Sequence, residues 1–164
     1  EATRLEQSIQ SAETESFNLT KVVSGCIQGY QMAYPEKSFE LNLSDEKKTM
    51  QGVPEFIAQL LDKLIANAVE FSEQDSPIYV EYRVDNQSTH IKVINKGPLL
   101  PPEIGEHIFD SMVSVRSQSL QKKPHLGLGL YIARLVADFH HAQISAKNLD
   151  SNDGVEFKLV FKSS

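Results

Sequence analysis

A column of functional side chains follows one edge of the segment 54–71. Lys63, Asn67 and Phe71 stand four residues apart, and Glu70 lies beside them. Residues at this spacing share one face of a helix. The amide oxygen of an asparagine is a hard ligand of the kind that Mg²⁺ accepts, while the ion keeps several waters and takes its other ligands from phosphates. The column therefore indicates a magnesium site, and the alternative is a capped or solvated asparagine.

A second polar side chain ends an apolar run that has the composition of a buried strand. Asn95 follows Val93-Ile94 and comes just before Gly97-Pro98, which must interrupt the strand. At a strand end beside a glycine turn, its side chain can face a pocket at the edge of a sheet. There it would accept a hydrogen bond from the exocyclic amine of a purine. The alternative is an ordinary turn asparagine.

Two glycines stand where a loop gives way to a helical pattern. The backbone N–H groups of Gly127 and Gly129 can approach phosphate oxygens closely, at the positive end of a helix dipole. The alternative is a glycine pair that only allows tight helix packing. Two glycines by themselves leave both interpretations open.

Hydrophobic periodicity predicts the helices that must position these residues. The predicted helical segments are 21–33, 54–71, 101–109 and a fourth that starts at Gly127 or Gly129 and ends at Phe139. Asn18 or Thr20 is expected to cap the first of them. Residues 1–15 are also helix-compatible, with Leu5 and Ile9 as a thin apolar seam that needs a partner.

Alternation of apolar and polar residues predicts the strands. The strand segments are 39–43, 78–84, 89–94, 142–146 and 155–161. Residues 110–125 contain serines and basic residues and are predicted to form a mobile loop. Strands and helices mixed in this order predict an α+β fold, a two-layer sandwich in which a mixed sheet of about five strands carries helices on one face.

The composition limits the class of protein. A chain of 164 residues, 40% hydrophobic and 23% charged, is one globular domain with a real core. Its net charge is −6, whereas a nucleic-acid binder usually carries a basic surface, so we expect no nucleic-acid partner. The single Cys26 excludes an intrachain disulfide and favours a reducing, cytoplasmic compartment. A membrane span needs about 18 consecutive apolar residues, and no apolar run approaches that length. The sequence starts at Glu1 without a leader, so we expect a fragment, with any membrane anchor of the parent protein upstream.

The order and spacing of these motifs resemble the ATP-binding catalytic domain of sensor histidine kinases, in the superfamily that includes gyrase, the Hsp90 chaperones and MutL. LLDKLIANAVEFS is similar to the N box of that family, VINKGPLLPPE to its first glycine box, HIFDSM to its F box and HLGLGLYIARLVADFH to its second glycine box. The resemblance covers residues 16–164 and implies a Bergerat-type ATP-binding fold. The wording of NKGPLLPPE and FDSMVSVR is also similar to a proteobacterial branch of these kinases.

The resemblance implies a role for each motif residue. Asn67 matches the magnesium-binding asparagine, and Phe71 matches an aromatic residue that lies against the nucleotide. Asn95 takes the place of an aspartate that binds the adenine amine, and Gly97 matches the glycine that admits the base. Further nucleotide contacts are implied for Leu100, Leu126, Gly127, Leu128 and Gly129.

Residues 110–126 correspond to the ATP lid of the family, in which Arg116, Lys122 or Lys123 could contact the β- or γ-phosphate. The residues expected to act in phosphoryl transfer are Asn67, which would orient Mg²⁺, and the cations Lys63 and Arg116, which would neutralise charge. Phosphoryl transfer depends on such placement and neutralisation more than on covalent help.

Five positions depart from the family pattern. Lys63 stands where an asparagine or a water-activating glutamate is usual, and Glu70 where a basic residue is frequent. Asn95 keeps an acceptor oxygen but loses the charge, which should weaken the adenine contact by about 1 kcal/mol. Leu99 and His125 replace glycines, which would narrow the pocket or stiffen the lid.

The histidines of the chain lack the context of a phosphoacceptor, because an acidic residue follows none of the five. The resemblance therefore implies that the acceptor lies upstream of Glu1. Residues 1–15 would then be the end of the dimerisation helix that carries it, and the alternative is a frayed terminus. The implied partners are the dimerisation and phosphoacceptor domain of the same or a partner chain and a response regulator. The full-length protein would be a homodimer, and this chain the cytoplasmic portion of a membrane-anchored sensor.

The resemblance implies an enzyme domain that holds Mg-ATP for in-line attack by a histidine located elsewhere. Two other functions stay open. The first is an ATP hydrolase like the chaperone and topoisomerase relatives, although Lys63 cannot act as a base at neutral pH without a large pKa shift. The second is an interaction module that no longer binds nucleotide, because the departures at Glu70, Leu99 and His125 have closed the pocket.

Overall fold

The computed structural model describes residues 2–101, 105–110 and 125–162. Within these ranges the helices are α1 Ala2–Ser11, α2 Leu19–Ala33, α3 Pro54–Phe71, a short 3₁₀ helix Gly105–Phe109 and α4 His125–Phe139. The strands are β1 Glu15–Asn18, β2 Phe39–Leu43, β3 Thr49–Gly52, β4 Ile78–Val84, β5 Ser88–Lys96, β6 Gln143–Asn148 and β7 Gly154–Lys162. None of the described helices is both long and apolar enough to cross a membrane.

Five strands form one mixed sheet in the order β2-β4-β5-β7-β6. β2 runs parallel to β4, and the other neighbouring pairs are antiparallel. These are the five strands that the alternating pattern predicts, with ends that agree or differ by one or two residues. The predicted α+β class, with a mixed sheet of about five strands, is confirmed.

Burial alternates along the central strands, so one face of the sheet is covered and the other is not. Val80, Val93 and Phe157 lie opposite one another in register on the covered face and are 2%, 1% and 0% exposed. The opposite face carries charged partners such as Glu81 and Lys92. This pattern is expected of antiparallel strands that pack on helices with one face only.

α3 is the central helix of the layer that covers the sheet. Pro54 occupies its first turn, where the missing N–H leaves no helical bond unmade. Its apolar stripe packs against β5, α2 and α4, and Ile57, Leu60 and Leu64 are fully buried. Each such side chain stabilises the fold by roughly 1.5–3 kcal/mol. The helix that carries Asn67 is therefore rigidly placed, as its 3.6-residue periodicity predicts.

A second, two-stranded sheet pairs the strand after α1 with the strand before α3. The sequence did not predict this sheet. β1 pairs antiparallel with β3, so that Glu15 lies opposite Gly52 and Phe17 opposite Met50. Both strands have only four residues, too few for alternation to be visible. The helix expected over 1–15 consequently ends at Ser11, because the chain must extend to enter this sheet.

α1 packs on α4. Ile9 is 4% exposed and belongs to the main hydrophobic core, and the Tyr131 hydroxyl donates a hydrogen bond to the Glu6 carboxylate. The seam residue Ile9 thus has the partner that it requires. Asn18 caps α2 as predicted, since its side-chain oxygen accepts a hydrogen bond from the Lys21 N–H at 3.3 Å.

The start of α4 differs from the prediction. The helix begins at His125 and not at Gly127 or Gly129, so both glycines lie within its first turns. A glycine inside a helix lowers its stability but does not end it, so the two glycines do not mark where α4 begins. Residues 111–124, which hold Arg116, Lys122 and Lys123, lie outside the described residues, as do 102–104 of the predicted short helix.

Candidate functional site

The C-terminal end of α3 meets the end of β5 at a glycine. Gly97 has a φ of +153°, and a Cβ there would overlap the Phe71 carbonyl oxygen and lie 3.2 Å from its carbonyl carbon. The Glu73 N–H also donates to the Lys96 carbonyl at 2.9 Å, which ties the chain after α3 to the same strand end. Gly97, which the sequence predicts to admit a ligand, thus permits a close backbone approach between helix and strand.

Asn95 lies beside this junction with no exposed surface. Its Nδ2 donates to the Lys96 carbonyl at 3.2 Å, while its Oδ1 is buried and accepts no hydrogen bond from the residues that the structure describes. Leaving a buried acceptor unpaired costs about 1–3 kcal/mol. Among the described residues, the structure thus places an unpaired acceptor at the strand end where the sequence predicts a contact with an amine.

β7 fixes the position of this strand end from the other side. A Cβ at Gly154 would overlap the Asn95 carbonyl oxygen, and the Gly97 N–H donates to the Asp153 carbonyl at 3.0 Å. The Lys96 ammonium lies 2.7 Å from the Asp153 carboxylate and lowers the pKa of that carboxyl. The backbone around Asn95 is therefore held by contacts on both sides.

The polar column of α3 approaches this junction. Asn67 is 1% exposed and Phe71 is 3% exposed, whereas Lys63 is partly exposed and Glu70 is exposed. The helical spacing predicted for Lys63, Asn67 and Phe71 is present, because all three lie within α3. The column thus changes from a solvated cation to a buried amide and a buried ring as it nears the end of β5.

Asn148, at the end of β6, is a site-adjacent residue that the sequence analysis missed. Its Oδ1 accepts from the Leu100 N–H at 2.8 Å, and its Nδ2 donates to the Leu100 carbonyl at 3.0 Å. Leu100 is 4% exposed, and its neighbour Leu99 is 39% exposed. Asn148 therefore anchors the turn that follows Gly97. No local signal could have revealed it, because its partner is 48 residues away.

The remaining predicted site residues are described only in part. Leu126, Gly127, Leu128 and Gly129 lie in the first turns of α4, where the backbone alone is described. Arg116, Lys122 and Lys123 lie outside the described residues. Among the side chains that are described, no group of three or more His, Cys, Asp or Glu could hold a metal ion.

A helical layer on one face of a mixed sheet, with a buried acceptor that the described residues leave unpaired at the strand end beside the central helix, defines a two-layer α+β class of domain. The family described as "Histidine kinase-, DNA gyrase B-, and HSP90-like ATPase" matches residues 52–164, which is more than half of the chain. The chain belongs to this family, as the catalytic ATP-binding domain of a two-component sensor histidine kinase.

Curated relatives and solved structures agree with this assignment. The signal transduction histidine-protein kinase ArlS of Staphylococcus haemolyticus is 27% identical over 154 residues, covering 94% of this chain and 34% of ArlS. The sensor protein VanSC of Enterococcus gallinarum is 29% identical over 151 residues, covering 92% of this chain and 42% of VanSC. The catalytic domain of histidine kinase ThkA superposes with a TM-score of 0.76 at 25% identity, over 92% of this chain and 96% of that domain.

The fold also occurs in more distant proteins. The mycobacterial sensor histidine kinase MprB superposes with a TM-score of 0.75 at 17% identity, over 90% of this chain and 96% of that chain. The chain spans 34% to 42% of the length of the curated relatives described above. These relatives come from several bacterial groups, so the comparisons do not support the proteobacterial branch that the sequence suggested.

Proposed function

We propose that this domain binds Mg-ATP between α3, the turn after β5 and the segment before α4, and presents the γ-phosphate to a histidine of a separate domain. The observation that carries this proposal is the buried Oδ1 of Asn95 beside Gly97, which accepts no hydrogen bond from the described residues. Adenine offers an N6 amine donor at the position where such an acceptor is required. Gly97 brings no side chain to this junction, where the Phe71 carbonyl already occupies the position of a Cβ.

Mg²⁺ would be held by Asn67 together with water and the phosphates of the nucleotide. The amide oxygen of Asn67 is a hard ligand, and its burial on α3 favours one side-chain position. When bound, the ion neutralises charge on the transferring phosphoryl group. Lys63 and the lid cations Arg116, Lys122 and Lys123 would supply the remaining positive charge. Glu70 is exposed, so solvent screens its repulsion of phosphate.

The proposed reaction needs little from the protein beyond placement. The γ-phosphoryl group passes from ATP to an imidazole nitrogen of the acceptor histidine, and ADP leaves. Residues of this chain bind the base, orient the metal and exclude water, which favours in-line attack. The acceptor domain, a response regulator and a homodimeric, membrane-anchored parent protein are the partners and setting that we propose. The names of ArlS and VanSC as a histidine-protein kinase and a sensor protein support this proposal.

Two observations argue against the alternative functions. Lys63 occupies the position of the water-activating glutamate of hydrolytic relatives, and a lysine side chain has no carboxylate to activate water. Leu99 is 39% exposed, so its side chain is not fully buried in the fold, as a plug of the pocket would be. We therefore favour a kinase domain over a hydrolase and over an interaction module without nucleotide.

Calorimetry with ADP and a non-hydrolysable ATP analogue, with and without Mg²⁺, tests this function. We expect binding heat and a thermal shift that grows with ligand concentration, because a ligand that binds only the folded state stabilises it. Absence of both at millimolar nucleotide would establish the interaction module instead. Rapid steady-state release of phosphate from ATP by this chain, lost on replacement of Lys63, would favour the hydrolase.

A further inference from the structure

Asn95 stands where relatives of the family carry a carboxylate, and an amide differs from a carboxylate in a way that affects base selection. Both oxygens of a carboxylate accept hydrogen bonds, so it can only face a donor. An amide has an oxygen at one position and an NH₂ group at the other. A freely rotating Asn95 could therefore offer an acceptor to adenine or, after a flip, a donor to the O6 of a 6-oxo purine.

We propose that the Lys96 carbonyl locks the Asn95 amide in one orientation, so that the site selects a 6-amino purine over a 6-oxo purine without a carboxylate. This inference rests on the proposed nucleotide site and adds the origin of its base selectivity.

The lock consists of a single backbone acceptor. Nδ2 of Asn95 donates to the Lys96 carbonyl at 3.2 Å, and a carbonyl oxygen can only accept. A flip would place Oδ1 against that oxygen and replace a hydrogen bond by a contact between two acceptors. Because Asn95 is 0% exposed, water cannot compensate for the loss. The orientation with Oδ1 turned away from the Lys96 carbonyl is therefore strongly favoured.

The carbonyl itself is immobile. It also accepts the Glu73 N–H at 2.9 Å, which uses its second lone pair and ties it to the residues after α3. On the other side, Lys96 pairs with Gly154 in β7, and a Cβ at Gly154 would lie 2.9 Å from the Lys96 Cα. These contacts hold the strand end in place, and the Gly97 backbone packs closely on the amide, since a Cβ there would lie 3.3 Å from Nδ2.

The fixed Oδ1 distinguishes the two classes of purine. The amine of adenine would donate to it and satisfy the buried acceptor. A 6-oxo purine would place O6 against Oδ1, so that two buried acceptors face each other and both stay unpaired. Adenosine and inosine nucleotides differ at this edge of the base while sharing the ribose and phosphates. They therefore isolate the contribution of Asn95.

The test is calorimetry of ADP and of inosine diphosphate, each with Mg²⁺, on the unmodified chain. We expect ADP to bind at least about tenfold more tightly than inosine diphosphate. Asn95→Asp should keep the preference for ADP, since both carboxylate oxygens accept hydrogen bonds. It should also lower the unfolding midpoint, because the second oxygen would face the Lys96 carbonyl in place of Nδ2. The matched control is Asn42→Asp, which makes the same change at an exposed position of β2 and should leave both affinities unchanged.

Affinities for the two nucleotides within about threefold of each other would show that the amide flips, and would overturn the lock. That outcome differs from failure of the proposed function, in which neither nucleotide binds.

Discussion

The ring of His140 accepts a hydrogen bond at Nε2 from the Val53 N–H, at 3.1 Å. Its Nδ1 lies 2.8 Å from the Val136 carbonyl, to which it must donate, so the neutral ring with its proton on Nδ1 is the form that fits. A Cβ at Gly52 would lie 2.6 Å from Nε2, which shows how closely the ring approaches the backbone. His140 thus connects the end of α4 to the start of α3.

We predict that this chain loses stability when the pH falls below about 6.5. Burial, followed by the nearby His141, lowers the pKa of His140 from its ordinary value of 6.5. Above that value the ring is neutral in both the folded and the unfolded chain, so the full contribution of His140 to the free energy of unfolding is present. As the pH falls from 6.5 towards the lower folded pKa, the unfolded chain takes up the proton first, so unfolding becomes more favourable.

Urea unfolding at several pH values measures this dependence. His140→Gln should flatten it, because glutamine does not titrate. The comparison variant is His141→Asn, at an exposed position with a φ of 58° that asparagine tolerates well. It should weaken the pH dependence only slightly, because burial is the larger cause of the lowered His140 pKa. An acid loss of stability that is as steep in His140→Gln as in the original chain would assign the effect to other groups.

Gly97→Ala should both destabilise the chain and weaken nucleotide binding. The new methyl would overlap the Phe71 carbonyl oxygen at a φ that side chains rarely adopt. We expect a loss of about 1–3 kcal/mol from the strained backbone alone, seen as a lower unfolding midpoint. Gly29→Ala, in α2, is the matched control, because nothing lies within 4 Å of its Cβ position and alanine favours a helix. Equal stability of the two variants would contradict this account of the junction.

Asn148→Ala should loosen the turn that follows Gly97. The substitution removes both hydrogen bonds to Leu100 and leaves its backbone groups unpaired, at a cost of about 1–3 kcal/mol. Hydrogen exchange at the Leu100 amide should accelerate more than exchange in the centre of β5. Asn148→Asp keeps the acceptor and loses the donor, so its effect should be intermediate. Unchanged exchange at Leu100 would show that other contacts hold the turn.

Local pattern was sufficient to find the motif residues and insufficient to find what positions them. Asn95 and Gly97 are visible because a polar residue and a glycine end an apolar alternation, and α3 is visible because its stripe persists for five turns. Asn148 is invisible because its partner Leu100 is distant in the sequence. The orientation of the Asn95 amide depends on the Lys96 carbonyl, which carries no side-chain identity that a sequence could reveal.

Asn67→Ala should abolish the effect of Mg²⁺ on nucleotide binding and should stop phosphoryl transfer to an added acceptor domain. The alanine removes the only oxygen ligand that we assign to this chain, and the metal would then be held by water and phosphates alone. The measurement is ADP affinity with and without Mg²⁺, followed by incorporation of labelled γ-phosphate into the acceptor. The metal-free affinity should change little.

Asn42→Ala is the matched control for this variant, because it removes an exposed amide on β2 and should leave the Mg²⁺ dependence intact. Asn67→Asp should retain an oxygen ligand and keep part of the Mg²⁺ dependence, since a carboxylate is also a hard donor. A folded Asn67→Ala chain that binds Mg-ADP and transfers phosphate at the original rate would remove Asn67 from the metal site. The unfolding midpoint of each variant separates loss of the ligand from loss of the fold.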